Sequence, residues 1–320
     1  MSELKDTIKD LNKRFGEGSI QQIKDLDDIR IERLSTGCFS LDWVLGGGIP
    51  RGKVIEIYGE PSSGKTLMSL FFIKEVQKNG GKAAFFDCEN SFSNEFAESI
   101  GVNVNDLFLS QSVIAEDVMN MIDSLIQTNE IDLIVLDSVA SLVPQKEFDE
   151  DVGKVNVALT ARTMSQALRK VVGSAAKTKT SLVFLNQTRQ RIGIFFGNPE
   201  TTPGGKALKF FSSIRLRVKK GKNIMNKAGD DVAGNLITIE AVKNKTAPPF
   251  RKTELELSYE CGIDIVGDML DQAVKTGLIK KIGNTYSYGE IKLGVGRDKA
   301  KTYLKGDNDL LDKIKTNEKN

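Results

Sequence analysis

Apolar residues recur along this chain with several spacings, and each spacing predicts a different element. Leu4, Ile8, Leu11 and Phe15 stand four, three and four residues apart. That spacing puts them on one face of a helix, with Lys5, Asp6, Lys9 and Asp10 elsewhere. Gly16 and Gly18 end the helix. Isolated helices shorter than about 12–15 residues rarely persist in water, so this stripe must dock, either on the chain's own core or on a neighbouring copy. Ile29, Ile31 and Leu34, interleaved with Arg30, Glu32 and Arg33, predict a strand, with Asp25–Asp28 before it as a linker. Ser35-Thr36-Gly37 and Gly46-Gly47-Gly48-Ile49-Pro50 are turns around the short apolar segment Leu41–Leu45.

From Val54 onward, unbroken apolar runs alternate with helical patterns. The runs Val54–Tyr58, Ala83–Cys88, Leu133–Asp137 and Ser181–Leu185 predict buried strands, and helices are expected after Lys65, over Glu116–Gln127 and over Val157–Lys177. Such alternation builds a largely parallel sheet covered on both faces. After Gly205 the pattern changes. Ile214-Arg215-Leu216-Arg217-Val218 and Leu236–Val242 alternate apolar with polar residues, as half-exposed strands of an antiparallel extension do. A helix over Ile265–Thr276 and a tyrosine- and lysine-rich segment follow.

The turn between the first buried strand and its helix carries chemistry. Gly59-Glu60-Pro61-Ser62-Ser63-Gly64-Lys65-Thr66 has a glycine, four residues, then Gly-Lys-Thr, the phosphate-binding pattern in the strand–loop–helix context that it requires. The loop's N–H groups curl around an anion, and the helix adds the positive end of its dipole. Lys65 would reach the β and γ phosphates, and the Thr66 hydroxyl would bind Mg²⁺. Asp137, ending the apolar strand Leu133–Asp137, is the partner carboxylate expected to orient that ion. Glu89 lies at the end of Ala83–Cys88, at the same sheet edge, and could polarise the water that attacks the γ-phosphate. Asp87 competes for this role, although strand alternation turns it to the other face. Gln187, after the strand Ser181–Leu185, brings an uncharged amide that can sense a γ-phosphate and leads into the glycine-rich stretch Ile192–Gly205.

Composition narrows these readings. Among 320 residues there is no histidine, which removes Ser-His and Cys-His catalysis and leaves carboxylates as the general bases. Three distant cysteines, Cys38, Cys88 and Cys261, encode neither a disulfide framework nor a zinc ribbon. With 40% hydrophobic and 28% charged residues, no membrane-length apolar run and no signal-peptide core, a cytoplasmic protein is expected. The net charge of +2 means that a nucleic-acid site must be a local basic surface. Arg162, Arg169, Arg189 and Arg191 supply such charge near Gly193, Gly197, Gly204 and Gly205, whose bare backbone can approach phosphates. Each phosphate neutralised steepens the salt dependence by roughly 0.7 in log–log slope for single strands.

The run from Asn186-Gln187-Thr188-Arg189-Gln190-Arg191-Ile192 through Gly197-Asn198-Pro199-Glu200-Thr201-Thr202-Pro203-Gly204-Gly205 to Phe210 resembles the second DNA-binding loop of the bacterial and phage RecA recombinase family. Phe15–Ile20, the phosphate loop, Leu136–Ala140, Ala161–Gln166 and Val242–Lys245 running to Phe250 match the same family, and the resemblance covers about Leu4 to Leu304. It implies an α/β fold, with a RecA-like P-loop ATPase core on a largely parallel central sheet. Residues 1–27 would be an oligomerisation arm and linker, 28–262 the core with its DNA-binding loops, and 263–320 a small α+β C-terminal domain.

The implied activity is that of a DNA-dependent ATPase that forms a helical filament on single-stranded DNA and exchanges strands with homologous duplex in recombinational repair. By the same resemblance ATP and Mg²⁺ are the cofactors, Glu89 the catalytic carboxylate, Gln187 the γ-phosphate sensor, and Phe96 the aromatic that stacks on adenine. Lys243 and Lys245 would reach the phosphates of a neighbour's ATP, and the N-terminal helix would dock on the adjacent protomer. Ile192 and Val157 match positions at which the family inserts an apolar side chain between base triplets.

The chain departs from the family at Ser93-Asn94, where Asp-Pro is common, and in the first loop, Phe148–Lys154. It ends in Lys315–Asn320 without an acidic tail, which implies weaker autoinhibition of duplex binding. A hexameric helicase or motor on the same core, and a DNA-coating scaffold with incidental turnover, are the alternatives. Lys65→Ala is expected to abolish ATP hydrolysis, because no other cation in the loop can replace the ammonium; turnover retained in a phosphate-release assay would remove the site assignment.

Overall fold

The computed structural model describes residues 3–22, 30–151, 158–190, 200–226, 228–259 and 262–319, with side chains to residue 315. The chain divides into two units, one up to Glu32 and one from Arg33 onward. In the first, Glu3–Phe15 is helical and none of its residues is buried; Leu4 and Phe15 are both about two-thirds exposed. Asn12 fixes the turn after it, donating to the Ile20 carbonyl and accepting from the Ile20 amide. The apolar stripe is therefore uncovered within its own unit. Of the strand expected around Ile29–Leu34, Arg33–Leu34 is the part that forms among the described residues, paired antiparallel with Ile49–Pro50. Ile29 and the Asp25–Asp28 linker lie outside the described residues.

The second unit is built on a nine-stranded sheet. Its order is Gly262–Ile263, Lys252–Ser258, Val232–Asn244, Ile214–Met225, Val54–Gly59, Ser181–Gln187, Leu133–Asp137, Ala83–Asp87 and Leu107–Ser110. From Ile214–Met225 to Leu107–Ser110 every neighbouring pair is parallel, and on the other side the pairings are antiparallel. The central strands are buried along nearly their whole length because helices cover both faces, which is why they read as unbroken apolar runs. One face packs on helix Lys65–Lys78 and the short helix Phe39–Leu45. Ala115–Gln127 and Leu159–Thr178 cover the other. Helix Leu159–Thr178 begins two residues later than the spacing predicts, and Val157 lies outside the described residues.

Ile214–Val218 alternates buried and half-buried, as expected, but lies parallel to Val54–Gly59 and antiparallel only to Val232–Asn244, so the antiparallel extension begins one strand later than its pattern predicts; Lys219 to Asn223 beyond it is exposed. Helix Ile265–Lys275 then leads into a three-stranded antiparallel sheet, Lys280–Ile282, Thr285–Tyr288 and Ile291–Val295, followed by helices Arg297–Gly306 and Asn308–Lys319. Met269, Leu270, Tyr286, Leu293, Leu304 and Ile314 close a separate small core there.

Helix Ile265–Lys275 meets the start of helix Phe39–Leu45 through Asp268, whose carboxylate accepts the Ser40 amide at 3.2 Å. Burial pushes the Asp268 carboxyl up to about 6 from its ordinary 3.8, against the opposing hydrogen bonds from Ser40. Between those values the folded chain keeps a proton that the unfolded chain has released, so this group makes stability fall as pH rises from about 4 to 6. The loss amounts to on the order of 2–3 kcal/mol once both states are ionised. Asp268→Asn is expected to flatten that part of the profile, read from denaturation midpoints at pH 4 and 7.5; an unchanged slope would show that the carboxyl titrates alike in both states.

Candidate active site

Strand Val54–Gly59 delivers the phosphate loop to the sheet edge, and helix Lys65–Lys78 starts immediately after Gly64. The Lys65 ammonium bends back over the loop and donates to the Glu60 carbonyl at 2.8 Å and the Gly59 carbonyl at 3.3 Å. Burial lowers its pKa, partly offset by the charges of Asp137 and Glu89. The cation is thus already stripped of much of its water before an anion arrives. Thr66 donates its hydroxyl to Asp137 at 2.5 Å. Burial raises the Asp137 carboxyl to about 6, the Thr66 hydrogen bond opposing and the Glu89 charge adding to the shift.

Glu89 and Gln187, read from sequence only as sharing an edge, touch. Gln187 Nε2 donates to Glu89 Oε1 at 2.9 Å, and Ser138 Oγ donates to the same oxygen at 2.6 Å. Asp87 is removed from competition: it is 1% exposed and accepts the Ser91 and Phe92 amides and the Gln111 side chain. Its carboxylate shapes the turn that presents Glu89. Ser93, where the sequence departs from the family, caps helix Asn94–Ile100 by accepting the Phe96 amide at 3.1 Å.

These groups border a cleft of about 490 Å³ lined by Pro61 to Leu67, Glu89, Phe96, Asp137 and Gln187. Phe96 is 40% exposed at its rim. Asn235, Ser258 and Tyr259 also line it, with Tyr259 donating its hydroxyl to Asn235 at 3.2 Å. Sequence reasoning missed these three because they come from antiparallel strands, or in the case of Tyr259 the turn just after one, that carry no motif. A larger apolar cleft of about 660 Å³, between edge strand Leu107–Ser110 and helix Ala115–Gln127, has Asp117 as its one ionisable lining group. It lacks the chemistry of the first.

Lys243 and Lys245 do not line the nucleotide cleft of their own chain. Lys243 donates to the carbonyls of Lys209 and Phe210, at 2.7 and 3.1 Å, and its pKa is lowered by burial and by the charges of Lys245 and Arg215.

Of the arginines expected to contact DNA, Arg162 and Arg169 are exposed on helix Leu159–Thr178. Seven residues apart, they fall about 10 Å from each other along its axis. Arg189 is exposed on a short ladder in which Arg189 and Gln190 pair with Thr201 and Glu200. Arg191, Ile192, Gly193, Gly197 and Val157 lie outside the described residues. Below the ladder Asn186 donates to the Pro203 carbonyl and to buried Glu56, and its own oxygen accepts the Gln187 amide. The two ends of the loop are fastened beside Gln187. Gly204 and Gly205, expected to bare their backbone to phosphates, have a packing reason to be glycine as well. Both have φ near +80°, and an added Cβ would come within 2.8 Å of Val139 and 2.6 Å of Ala161, respectively.

A glycine-bounded loop between a buried parallel strand and a helix, faced by a carboxylate from the next strand but one, defines a P-loop nucleotide-binding protein. The family model described as RecA N-terminal domain matches residues 2–264, and that described as RecA C-terminal domain matches 267–318. Proteins named RecA are similar throughout. That of Limosilactobacillus reuteri is 46% identical over 313 residues, covering 96% of this chain and 86% of the relative. That of Lactobacillus johnsonii is 47% identical over 309 residues, covering 96% and 85%, and that of Bacillus mycoides 46% over 308, covering 96% and 89%. A crystal structure of the RadB recombinase shares the fold, with a TM-score of 0.55 at 23% identity over 72% of this chain and 98% of that one. The chain belongs to the RecA family, and as such it is a DNA-dependent ATPase of the recombinase class.

Glu89→Ala is expected to leave ATP binding and assembly in place while stopping hydrolysis; turnover within a few-fold of the parent in a coupled assay would move the catalytic role elsewhere.

Proposed function

We infer that the protein works in the cytoplasm as a helical filament on single-stranded DNA, using ATP and Mg²⁺, and pairs that strand with homologous duplex to exchange strands. The observation that carries this reading is the contact between Glu89 and Gln187. Gln187 is two residues from Arg189 in the loop ladder, so the nucleotide site and the candidate DNA loop share one short stretch of backbone.

In this reading the loop Gly59–Thr66 cradles the phosphates and Lys65 turns from the Glu60 carbonyl to the β and γ oxygens. The Thr66 hydroxyl and Asp137 carboxylate converge on one point and fit Mg²⁺, which would supply charge to the phosphate oxygens. No group of three or more potential ligand side chains occurs among the described residues, so the remaining positions fall to phosphate and water, as is usual for this ion. Glu89 polarises the attacking water. Gln187 exchanges its bond to Glu89 for one to the γ-phosphate and so reports the nucleotide to the loop, while Phe96 covers the adenine. Arg162, Arg169, Arg189 and Arg191 hold the DNA backbone, with Val157 and Ile192 between bases.

Lys243 and Lys245 complete the site of a neighbouring protomer, a role worth roughly 10³–10⁵ in rate for comparable fingers in other NTPases. The same neighbour supplies the arm. Edge strand Leu107–Ser110 leaves Phe108 51% and Leu109 45% exposed beside the 660 Å³ apolar cleft, a receptive surface for the uncovered stripe of helix Glu3–Phe15. Residues 1–27, 28–262 and 263–320 then act as arm, motor and accessory domain. The helicase and scaffold alternatives are not favoured, since the match extends across both family domains.

ATP hydrolysis measured with and without single-stranded DNA, paired with electron microscopy, tests the reading. Stimulated turnover and filaments are expected; closed hexameric rings, or turnover indifferent to DNA, would overturn it.

A further inference from the structure

Three consecutive glycines that read in the sequence as a turn form a seat for the segment that bears the two lysines. Gly46, Gly47 and Gly48 all have φ between +88° and +116°. A Cβ on Gly46 would come within 2.3 Å of the Ala247 methyl, and one on Gly48 within 2.3 Å of the Leu34 carbonyl oxygen. Into this turn reaches Arg33, whose guanidinium donates to the carbonyls of Leu45 at 3.1 Å, Gly48 at 3.0 Å and Thr246 at 2.9 Å. Burial lowers the pKa of this half-buried cation, and Asp42 offsets the shift. Spending a half-buried charge on three main-chain oxygens is costly for a mere turn.

Asn244, between the two lysines, works on the same segment. Its amide donates to the Leu45 carbonyl at 3.2 Å, while its oxygen accepts the amides of Thr246 and Ala247 and the Thr246 hydroxyl. At the far end Arg251 donates to the Trp43 carbonyl at 2.8 Å and lies 4.7 Å over the Trp43 ring. Residues 244 to 251 are thereby clamped at both ends to the segment Phe39–Gly48. Arg33 and Asn244 lie outside the lining of the nucleotide cleft. Lysine is a point charge on a flexible stem, so its contribution to a distant phosphate depends on how firmly its backbone is held.

We propose that Arg33 and Asn244 are positioning residues that hold Lys243 and Lys245 in the shape in which they enter a neighbour's ATP site, with Gly46–Gly48 as their seat. The proposal rests on the shared-site reading given above. It specifies that loss of Arg33 harms the site of the next protomer and spares the protomer's own.

Mixed filaments separate the two. Arg33→Ala alone is expected to lower DNA-stimulated turnover roughly 10- to 100-fold, the usual result of misplacing a catalytic group by an ångström or so. Binding of a fluorescent ATP analogue to dilute protomers should not change. Mixed one to one with Glu89→Gln protein, which is inactive but keeps its lysine segment, it should recover about a quarter of the parent rate, because a head-to-tail interface pairs a sound cleft with a sound segment one time in four. A Lys243→Ala/Lys245→Ala double variant mixed with Glu89→Gln is the reference. If the reference recovers and the Arg33→Ala mixture does not, or if Arg33→Ala alone is fully active, the proposal is overturned. If the reference itself fails to recover, the shared-site reading falls and the proposal with it. Asn244→Ala, which leaves the Arg33 contacts in place, is read in the same way should Arg33→Ala fail to fold.

Discussion

Everything at the nucleotide cleft depends on keeping opposite charges buried beside one another at the end of a sheet. Lys65 and Asp137 are each disfavoured as ions by burial, and each lowers the other's cost. The sheet makes the arrangement affordable, because its parallel strands end together and deliver Thr66, Asp137, Glu89 and Gln187 to one edge on rigid backbone. A bound phosphate would enter a place where the cation is already desolvated and held by weak carbonyl acceptors, so that little reorganisation is needed at the moment of binding.

Much of this was legible before any coordinates. Val54–Gly59, Leu133–Asp137 and Ser181–Gln187 are covered on both faces, so their apolar runs stand out against helical spacing, and the last residue of each strand falls at the functional edge. Leu107–Ser110 was not legible. As an edge strand it is at least partly exposed throughout, and its three apolar residues, Leu107 to Leu109, are too few to tell a strand from a turn of helix. Helix Phe39–Leu45 is too short to display a period, and the strand at Arg33–Leu34 owes its two residues to pairing with Ile49–Pro50 rather than to its own pattern.

The site shows the same division. Lys65, Thr66 and Asp137 are legible because local spacing sets them. Asn235 and Tyr259 are not, because only the antiparallel extension brings them across. The Glu89–Gln187 bond joins residues 98 positions apart, which spacing alone cannot supply. Gly204 and Gly205 show that a residue can have a reason that spacing does not reveal: close packing against Val139 and Ala161 already demands glycine there. Asn186 carries no signal of its own in the sequence, although it joins Gln187, Pro203 and the buried Glu56.

The bare edge at Leu107–Ser110 has a consequence for growth. An arm and an edge are different surfaces, so a contact between them would be heterologous, and it gives an open polymer when the rotation from one subunit to the next does not close a ring. However long such a polymer becomes, one terminal protomer shows an unfilled edge and the other an unfilled arm. The two ends are then chemically distinct, and a ligand that fills the apolar groove at Phe108 and Leu109 would cap growth at one end while leaving the other free to add subunits.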